Sequence, residues 1–286
     1  MKRVLLTGAS GAIGSRLRKL LAAHYELVLT DLAPPPALES QGPLPKDPLR
    51  QEPLPQETYI AADLADAAAI ARAVAGAEGI VHLGGLSTEA PWEAILRSNI
   101  VGTYNLFEAA RKQGVKRVVF ASTNHVMGFY PREQSIGVQA LPLPDTRYGV
   151  ATAFGEALGA LYAYKYGLGV LCIRIGNVSD TPVDERRLAI WLKPEDLVSL
   201  IRIGLERDGL VYETVYGMSD NARAWWDNLR ASKLGYRPEG RSEDFASQAL
   251  AAEALLLPDE VGAAFQGGSF CSREFEGQLS RILRKS

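Results

Sequence analysis

The residues that most clearly announce chemistry are glycines. Close to the N-terminus the chain reads Thr7-Gly8-Ala9-Ser10-Gly11-Ala12-Ile13-Gly14. A short apolar run, Arg3-Val4-Leu5-Leu6, precedes them, and Ile13, Leu17, Leu20 and Leu21 follow at helical spacing, so the glycines occupy a strand-to-helix turn. Gly8 can make the tight turn, Gly11 admits a pyrophosphate close to the backbone, and Gly14 lets helix and strand pack closely. The free N–H groups and positive dipole end of the helix then face the phosphates. This pattern predicts a dinucleotide site, since a plain strand-to-helix turn does not need three glycines so spaced. The next strand, Glu26 to Thr30, ends at Asp31, seventeen residues past Gly14. An acid there can accept from ribose hydroxyls and repels a 2′-phosphate, which favours NAD over NADP; the competing reading is a turn or capping residue.

Further elements must follow to hold this turn in place. Thr58–Ala62 reads as a strand, followed by Asp63-Leu64, an alanine-rich helix over 65–75 and a strand Gly79–Leu83. Gly84-Gly85 lets the chain pass close to a cofactor. The pattern then predicts a long helix over 91–112, a strand Arg117–Ala121, a second long helix from Tyr148 to Tyr166, and a strand Val170–Ile175. Strands alternating with helices argue for an α/β fold, a doubly wound parallel (Rossmann) sheet. After Ile175 the alternation weakens. Pro194-Glu195-Asp196 opens a helix to Glu206, with proline and acids suited to a helix start, and Val211–Tyr216 is a strand candidate. Residues 1–175 are thus expected to form the nucleotide-binding core. Residues 176–286 are expected to form mostly a small C-terminal substrate lobe, with elements returning to the core and a pocket between the two. Eight of the sixteen prolines fall between Pro34 and Pro55, so 33–58 is expected to be a surface loop.

Composition narrows the partners. At 286 residues, 47% hydrophobic and 22% charged, the chain has an ordinary globular make-up with a substantial core. A net charge of −2 gives no general reason to expect nucleic acid or an anionic membrane as partner. Cys172 and Cys271 follow no metal-ligand spacing, and no metal site is suggested. The fold begins within the first fourteen residues and no apolar run reaches membrane-spanning length, so a cytoplasmic protein is expected.

The glycine turn, Asp63-Leu64, His82-Leu83-Gly84-Gly85 and the tyrosine opening the helix after the fifth strand together resemble the extended short-chain dehydrogenase/reductase superfamily. Val81-His82-Leu83-Gly84-Gly85-Leu86-Ser87, Phe120-Ala121-Ser122-Thr123-Asn124-His125, Tyr148-Gly149-Val150, Trp225-Trp226-Asp227-Asn228 and Phe265-Gln266-Gly267-Gly268 narrow the resemblance to uronate dehydrogenases. Members of that family oxidise the anomeric carbon of a cyclic hexuronic acid to an aldarolactone with NAD. The resemblance implies Tyr148 as general base and Thr123 as the hydroxyl at the reacting oxygen, with Ser87, Asn124 and His125 on sugar hydroxyls. It also implies Arg186 on the substrate carboxylate, whose two oxygens match a planar guanidinium. Cofactor contacts would come from Gly8, Ser10, Gly11, Ala12, Ile13, Gly14, Asp31, Asp63, Leu64, Leu83, Gly84, Gly85, Asn99 and Ser122. The two long helices imply a homo-oligomer.

One position departs from the superfamily pattern YxxxK. Tyr148 is followed four residues later by Thr152, which lies on the same helical face but carries no charge. A free phenol titrates near pH ~10, and an ammonium at ~4 Å would contribute about 4 kcal/mol towards ionising it at an effective dielectric of ~20. The next lysine along, Lys165, is thirteen residues further. Three functions therefore compete: a slow NAD-dependent dehydrogenase, a non-catalytic NAD-binding protein, and a sugar-nucleotide epimerase or dehydratase. The short stretch after the sixth strand disfavours the last. The structural alternatives are a core tyrosine at 148, a buried hydrogen-bonded histidine at 125, and an exposed charge cluster at Asp184–Arg187.

Overall fold

A computed structural model describes residues 3–34, 57–254 and 257–283. Residues 35–56 of the loop expected at 33–58 lie outside the described residues. The first half holds β1 (Arg3–Thr7), α1 (Ala12–Leu21), β2 (Glu26–Asp31), β3 (Thr58–Ala61), α2 (Ala67–Val74) and β4 (Gly79–His82). It continues through α3 (Trp92–Ile95), a π-helical stretch Leu96–Val101, α4 (Gly102–Lys112) and β5 (Arg117–Thr123). Next come α5 (Arg147–Tyr166), β6 (Gly169–Ile175), β7 (Asn177–Val178), α6 (Glu185–Ile190), β8 (Trp191–Leu192), α7 (Pro194–Glu206) and β9 (Tyr212–Gly217). Among the described residues five short helices follow: α8 (Leu229–Lys233), α9 (Ala246–Glu253), α10 (Glu260–Ala264), α11 (Ser269–Ser272) and α12 (Leu279–Leu283).

Among the described residues seven strands form one sheet in the order β3-β2-β1-β4-β5-β6-β9, and every pair in it is parallel. The alternation of side chains along each strand divides the core in two. Leu6, Leu29, Val119 and Ile173 pack with Leu17, Leu21, Leu197 and Ile201 of α1 and α7. On the other face Leu5, Ile80, Val118 and Val170 meet Ile70, Phe107 and Leu158 of α2, α4 and α5. The sheet is therefore doubly wound. Strand order reverses direction between β1 and β4, and the crevice at such a point takes the ligand in open α/β sheets.

Two elements differ from the sequence expectation in ways that matter. The helix expected over 91–112 is not uniform, because Leu96–Val101 winds as a π-helix before α4 resumes. Strand β5 runs on to Thr123 rather than stopping at Ala121, because pairing with β6 continues through Ser122↔Arg174 and Thr123↔Ile175. Neither end residue is apolar, so hydrophobic periodicity alone could not extend it.

Helix α5 carries the tyrosine near its start. The Thr146 hydroxyl caps it by accepting from the Gly149 N–H at 3.0 Å, and Gly167 ends it with a left-handed φ of 76°. Its height is set by Glu156, which accepts from Arg174 Nε at 2.9 Å and Nη2 at 2.8 Å, with the Ser122 hydroxyl donating to the same carboxylate. All three residues are buried. Removing one member of a buried pair strands the other, so Glu156→Leu is expected to lower the unfolding free energy by about 3–5 kcal/mol in urea titrations. The double change Glu156→Leu with Arg174→Leu is expected to recover most of that loss.

Candidate active site

A cleft of about 630 Å³ runs across the C-terminal ends of the central strands. Every candidate residue from the sequence lines it, including Gly14 and Asp31 at one end and Tyr148 and Arg186 at the other. Two glycines are dictated by close approach. Gly8 has φ 68°, and a Cβ on it would come within 2.8 Å of the Leu83 carbonyl carbon; a Cβ on Gly14 would fall 2.1 Å from the Gly8 oxygen. No side chain caps α1 at Gly11, so its first N–H groups face the cleft.

The glycine turn after β1 and the one after β4 are joined by a buried imidazole. Thr7 Oγ1 accepts from the Gly84 N–H at 3.0 Å and lies 2.7 Å from His82 Nδ1. On its other side the ring places Nε2 3.4 Å from Thr103 Oγ1, so both imidazole nitrogens face threonine hydroxyls. Burial pushes the His82 imidazole down to about 4. Asp31 accepts from the Ser10 N–H at 3.0 Å through Oδ2 and from the Leu32 N–H at 2.8 Å through Oδ1, which sets its carboxylate at the cleft edge. Asp63 is held by the Ala65 N–H at 2.9 Å and by Arg97, which keep its carboxyl below the usual range.

Two of the cofactor candidates have side chains committed elsewhere. Asn99 Oδ1 accepts from the Leu86 N–H at 2.9 Å and its Nδ2 donates to the Leu86 carbonyl at 2.8 Å. That side chain clamps the loop bearing Ser87 instead of offering its amide to a ligand. Ser122 gives its hydroxyl to Glu156.

At the other end of the cleft, Tyr148 sits in the first turn of α5. Burial raises its phenol, the Asp145 carboxylate adds to the rise, and only the hydroxyls of Thr123 and Thr152 oppose it. Thr152 Oγ1 donates back to the Tyr148 carbonyl at 2.9 Å, and no lysine is among the described residues lining the cleft. Lys165 lies against the Tyr166 ring at the distant end of α5. His125 Nδ1 is 2.7 Å from Asp145 Oδ2, and its ring stacks on Phe270 with centroids 3.9 Å apart.

Arg186 belongs to α6. Its Nε donates to the Gln266 carbonyl at 2.9 Å. With the Asn124 amide assigned in the orientation that satisfies both its ends, Arg186 Nη2 donates to the Asn124 oxygen at 3.1 Å and the Asn124 nitrogen donates to the Ile175 carbonyl at 3.1 Å. Among the described residues no carboxylate pairs with it, while its neighbour Arg187 is paired with Asp184. Burial, with Arg187 and Arg132 nearby, pushes the guanidinium down to about 10, so it stays charged at neutral pH. A charge enclosed without a counter-ion is a ready receiver for an anion.

Three residues at this end were not singled out by the sequence for their roles: Asp145, Phe270 and Gln266. Asp145 sits among turn residues just before a helix cap, and Phe270 and Gln266 come from a distant stretch that only the fold brings round.

The model of the NAD dependent epimerase/dehydratase family matches residues 4–182. The chain belongs to that family. Within it, the chain is 41% identical to a uronate dehydrogenase of Pseudomonas putida over 94% of this chain and 95% of that one. Among solved structures it is similar to a glucuronic acid dehydrogenase from Chromohalobacter salexigens, with TM-score 0.86 and 38% identity over 95% of this chain and 97% of that one. It is also similar to a variant uronate dehydrogenase from Agrobacterium tumefaciens complexed with NAD, with TM-score 0.85 and 40% identity over the same shares. Membership makes NAD the cofactor, and the cleft fits it. The turn is too tight at Gly8 and Gly14 for any side chain, the uncapped α1 N-terminus suits a pyrophosphate, and Asp31 suits ribose hydroxyls. Among the described residues no helix is long and apolar enough to cross a membrane, and no group of side chains could hold a metal ion.

The imidazole joining the two turns defines an acid limit. Folded His82 takes a proton only near pH 4, whereas the unfolded residue does so near ~6.5. Its depressed value means that stability is fully present above pH ~6.5 and is lost as pH falls towards about 4, by up to about 3 kcal/mol. Urea midpoints measured across that window should show the fall, and His82→Gln should flatten it.

Proposed function

We propose that this protein oxidises the anomeric carbon of a hexuronic acid such as glucuronate or galacturonate to the aldarolactone, using NAD. The observation that carries this reading is Arg186, a guanidinium with no carboxylate partner among the described residues, in the cleft that also holds Tyr148 and Thr123. Its free edge suits the two oxygens of a sugar carboxylate. Asn124, held by Arg186, and His125 and Ser87 are then in position for ring hydroxyls. Thr123 and the protonated phenol of Tyr148 hold the reacting oxygen. The relatives named as uronate and glucuronic acid dehydrogenases support the same substrate class. NAD, when bound, supplies the acceptor for the hydride.

The uncharged Thr152 makes slow turnover the expected behaviour, and it equally supports a second reading in which NAD binds without oxidation. Growth of the NADH absorbance band with a panel of uronates and neutral aldoses decides between them. Turnover with a uronate above the Tyr148→Phe background is expected. Measurable NAD binding with every sugar left unoxidised would favour the binding protein, and tight binding of a UDP-sugar would favour an epimerase. Arg186→Met is expected to lower kcat/KM for the uronate by about 100-fold with NAD affinity unchanged. Thr152→Lys is expected to raise kcat by at least about 10-fold, because an ammonium beside the phenol would let it ionise and act as a base, which Thr152 does not.

We further propose a homo-oligomer built on α5. Val150, Ala157, Leu161 and Tyr164 fall on one helical face and are exposed, and Leu96, Val101 and Tyr104 expose more apolar surface on the adjoining helix. A second copy of the same face covers it. Sedimentation velocity is expected to show a dimer or larger species for the native chain and monomer for Leu161→Glu with Tyr164→Glu.

A further inference from the structure

We propose that in this chain the proton of the reacting hydroxyl is taken by His125, held by Asp145, rather than by the phenol of Tyr148. The proposal rests on the dehydrogenase reading above. Its first support is that the phenol lacks the means to ionise: Thr152 brings no charge, its hydroxyl is spent on the Tyr148 carbonyl, and no lysine is among the described residues of the cleft. The charge that does act on the phenol is the Asp145 carboxylate, which opposes ionisation.

The second support is the geometry of the imidazole. Asp145 Oδ2 lies 2.7 Å from His125 Nδ1, and that carboxylate is shut off from solvent, with its other oxygen accepting from the Thr146 hydroxyl at 3.0 Å. A buried carboxylate at Nδ1 fixes the proton there and leaves the lone pair on Nε2. Nε2 has no partner among the described residues, although His125 lines the cleft and its ring centroid is 6.1 Å from that of Tyr148. Stacking on Phe270 and the His125 N–H on Thr123 Oγ1 at 3.2 Å fix the ring and backbone. The arrangement is an acceptor nitrogen oriented by an acid, the pairing by which a carboxylate readies an imidazole to take a proton.

The charged and titratable groups around the ring are Asp145 on the segment before α5, Tyr148 on α5, Arg186 and Arg187 on α6, and Cys271 on α11, with Arg273 beyond Phe270. Burial and the two arginines outweigh Asp145 and lower the imidazole, so it is neutral and able to accept at pH 7. In the reaction the O–H bond at C1 breaks and its electrons form the C1=O bond of the lactone. The C1 hydrogen leaves as hydride to NAD, the oxidant, and the proton goes to Nε2, giving an imidazolium paired with Asp145 that releases it to solvent. Asp145 acts here as a positioning residue.

The first measurement needs no turnover. The chain has three histidines, His24, His82 and His125, so nitrogen-15 shifts of the apoprotein imidazoles can be assigned by substitution. His125 is expected as the Nδ1–H tautomer at pH 7, and an Nε2–H tautomer would overturn the proposal. The kinetic arm uses the uronate that the native enzyme turns over. Its kcat/KM is expected to rise along one acid limb below neutrality and level off; a rise continuing towards pH ~10 would instead identify the phenol.

His125→Ala is expected to lose about 100-fold or more in kcat and to recover part of it with added imidazole, with NAD affinity and thermal midpoint reporting that the variant is folded. Asp145→Asn is expected to move the acid limb to lower pH, since it removes the charge that favours imidazolium. A loss confined to KM in His125→Ala, with the acid limb intact, would reduce the residue to a sugar contact. If the native chain oxidises no sugar at all, the dehydrogenase reading fails and this proposal falls with it. Turnover that survives in His125→Ala with native kcat overturns this proposal alone.

Discussion

The site depends on a buried ion pair that touches none of its ligands. Glu156 and Arg174 fix α5 against β5 and β6, and Tyr148, Thr152 and Glu156 succeed one another at four-residue steps along one face of that helix. Whatever holds Glu156 therefore sets the height of the phenol. The contacts do not stop there. Arg174 lies over the Tyr216 ring with 5.7 Å to its centroid, Tyr216 stacks on Trp226 at 4.8 Å, and Trp226 Nε1 donates to Gln266 Oε1 at 2.9 Å. Gln266 in turn holds Arg186 through its carbonyl. One unbroken series of packed and hydrogen-bonded groups thus connects the helix that carries Tyr148 to the Arg186 guanidinium.

That series also ties the residues after β9 to the core. Among them Trp226 and Gln266 are almost fully enclosed, as are Tyr236 and Phe265. The tryptophan pair near the end of the chain acts through packing: Trp226 is a brace, and Trp225 lies under Arg132 at 5.5 Å. A buried ion pair is costly to desolvate and is seldom a net source of stability, so its value here lies in position.

The nucleotide half was legible because its requirements are local. A turn with no room for Cβ at Gly8 and Gly14, an acid at the end of β2 and an alternating pattern of strands each leave a mark on adjacent residues. The end of the cleft around Tyr148 and Arg186 was legible only by its residue types. Arg186 stood in a run of charges, and nothing nearby in sequence shows that Asp184 neutralises Arg187 and leaves Arg186 unpaired. The role of Asp145 was hidden for a similar reason, since an acid before a capped helix reads as part of the cap until His125 arrives from β5. Asn99 was placed at the cofactor because of its resemblance, whereas its amide is spent on the Leu86 backbone.

The π-helical stretch Leu96–Val101 makes that last contact possible. It fits one more residue into the helix than α-winding would, and each residue of an α-helix turns the chain by about 100°. Losing a single residue there would restore ordinary winding and rotate Trp92–Ile95 by that angle relative to α4. The loop before it would then lose its hold at Leu86. The wall beside Ser87 is therefore set by a phase, and a one-residue deletion at this stretch would be felt across the cleft.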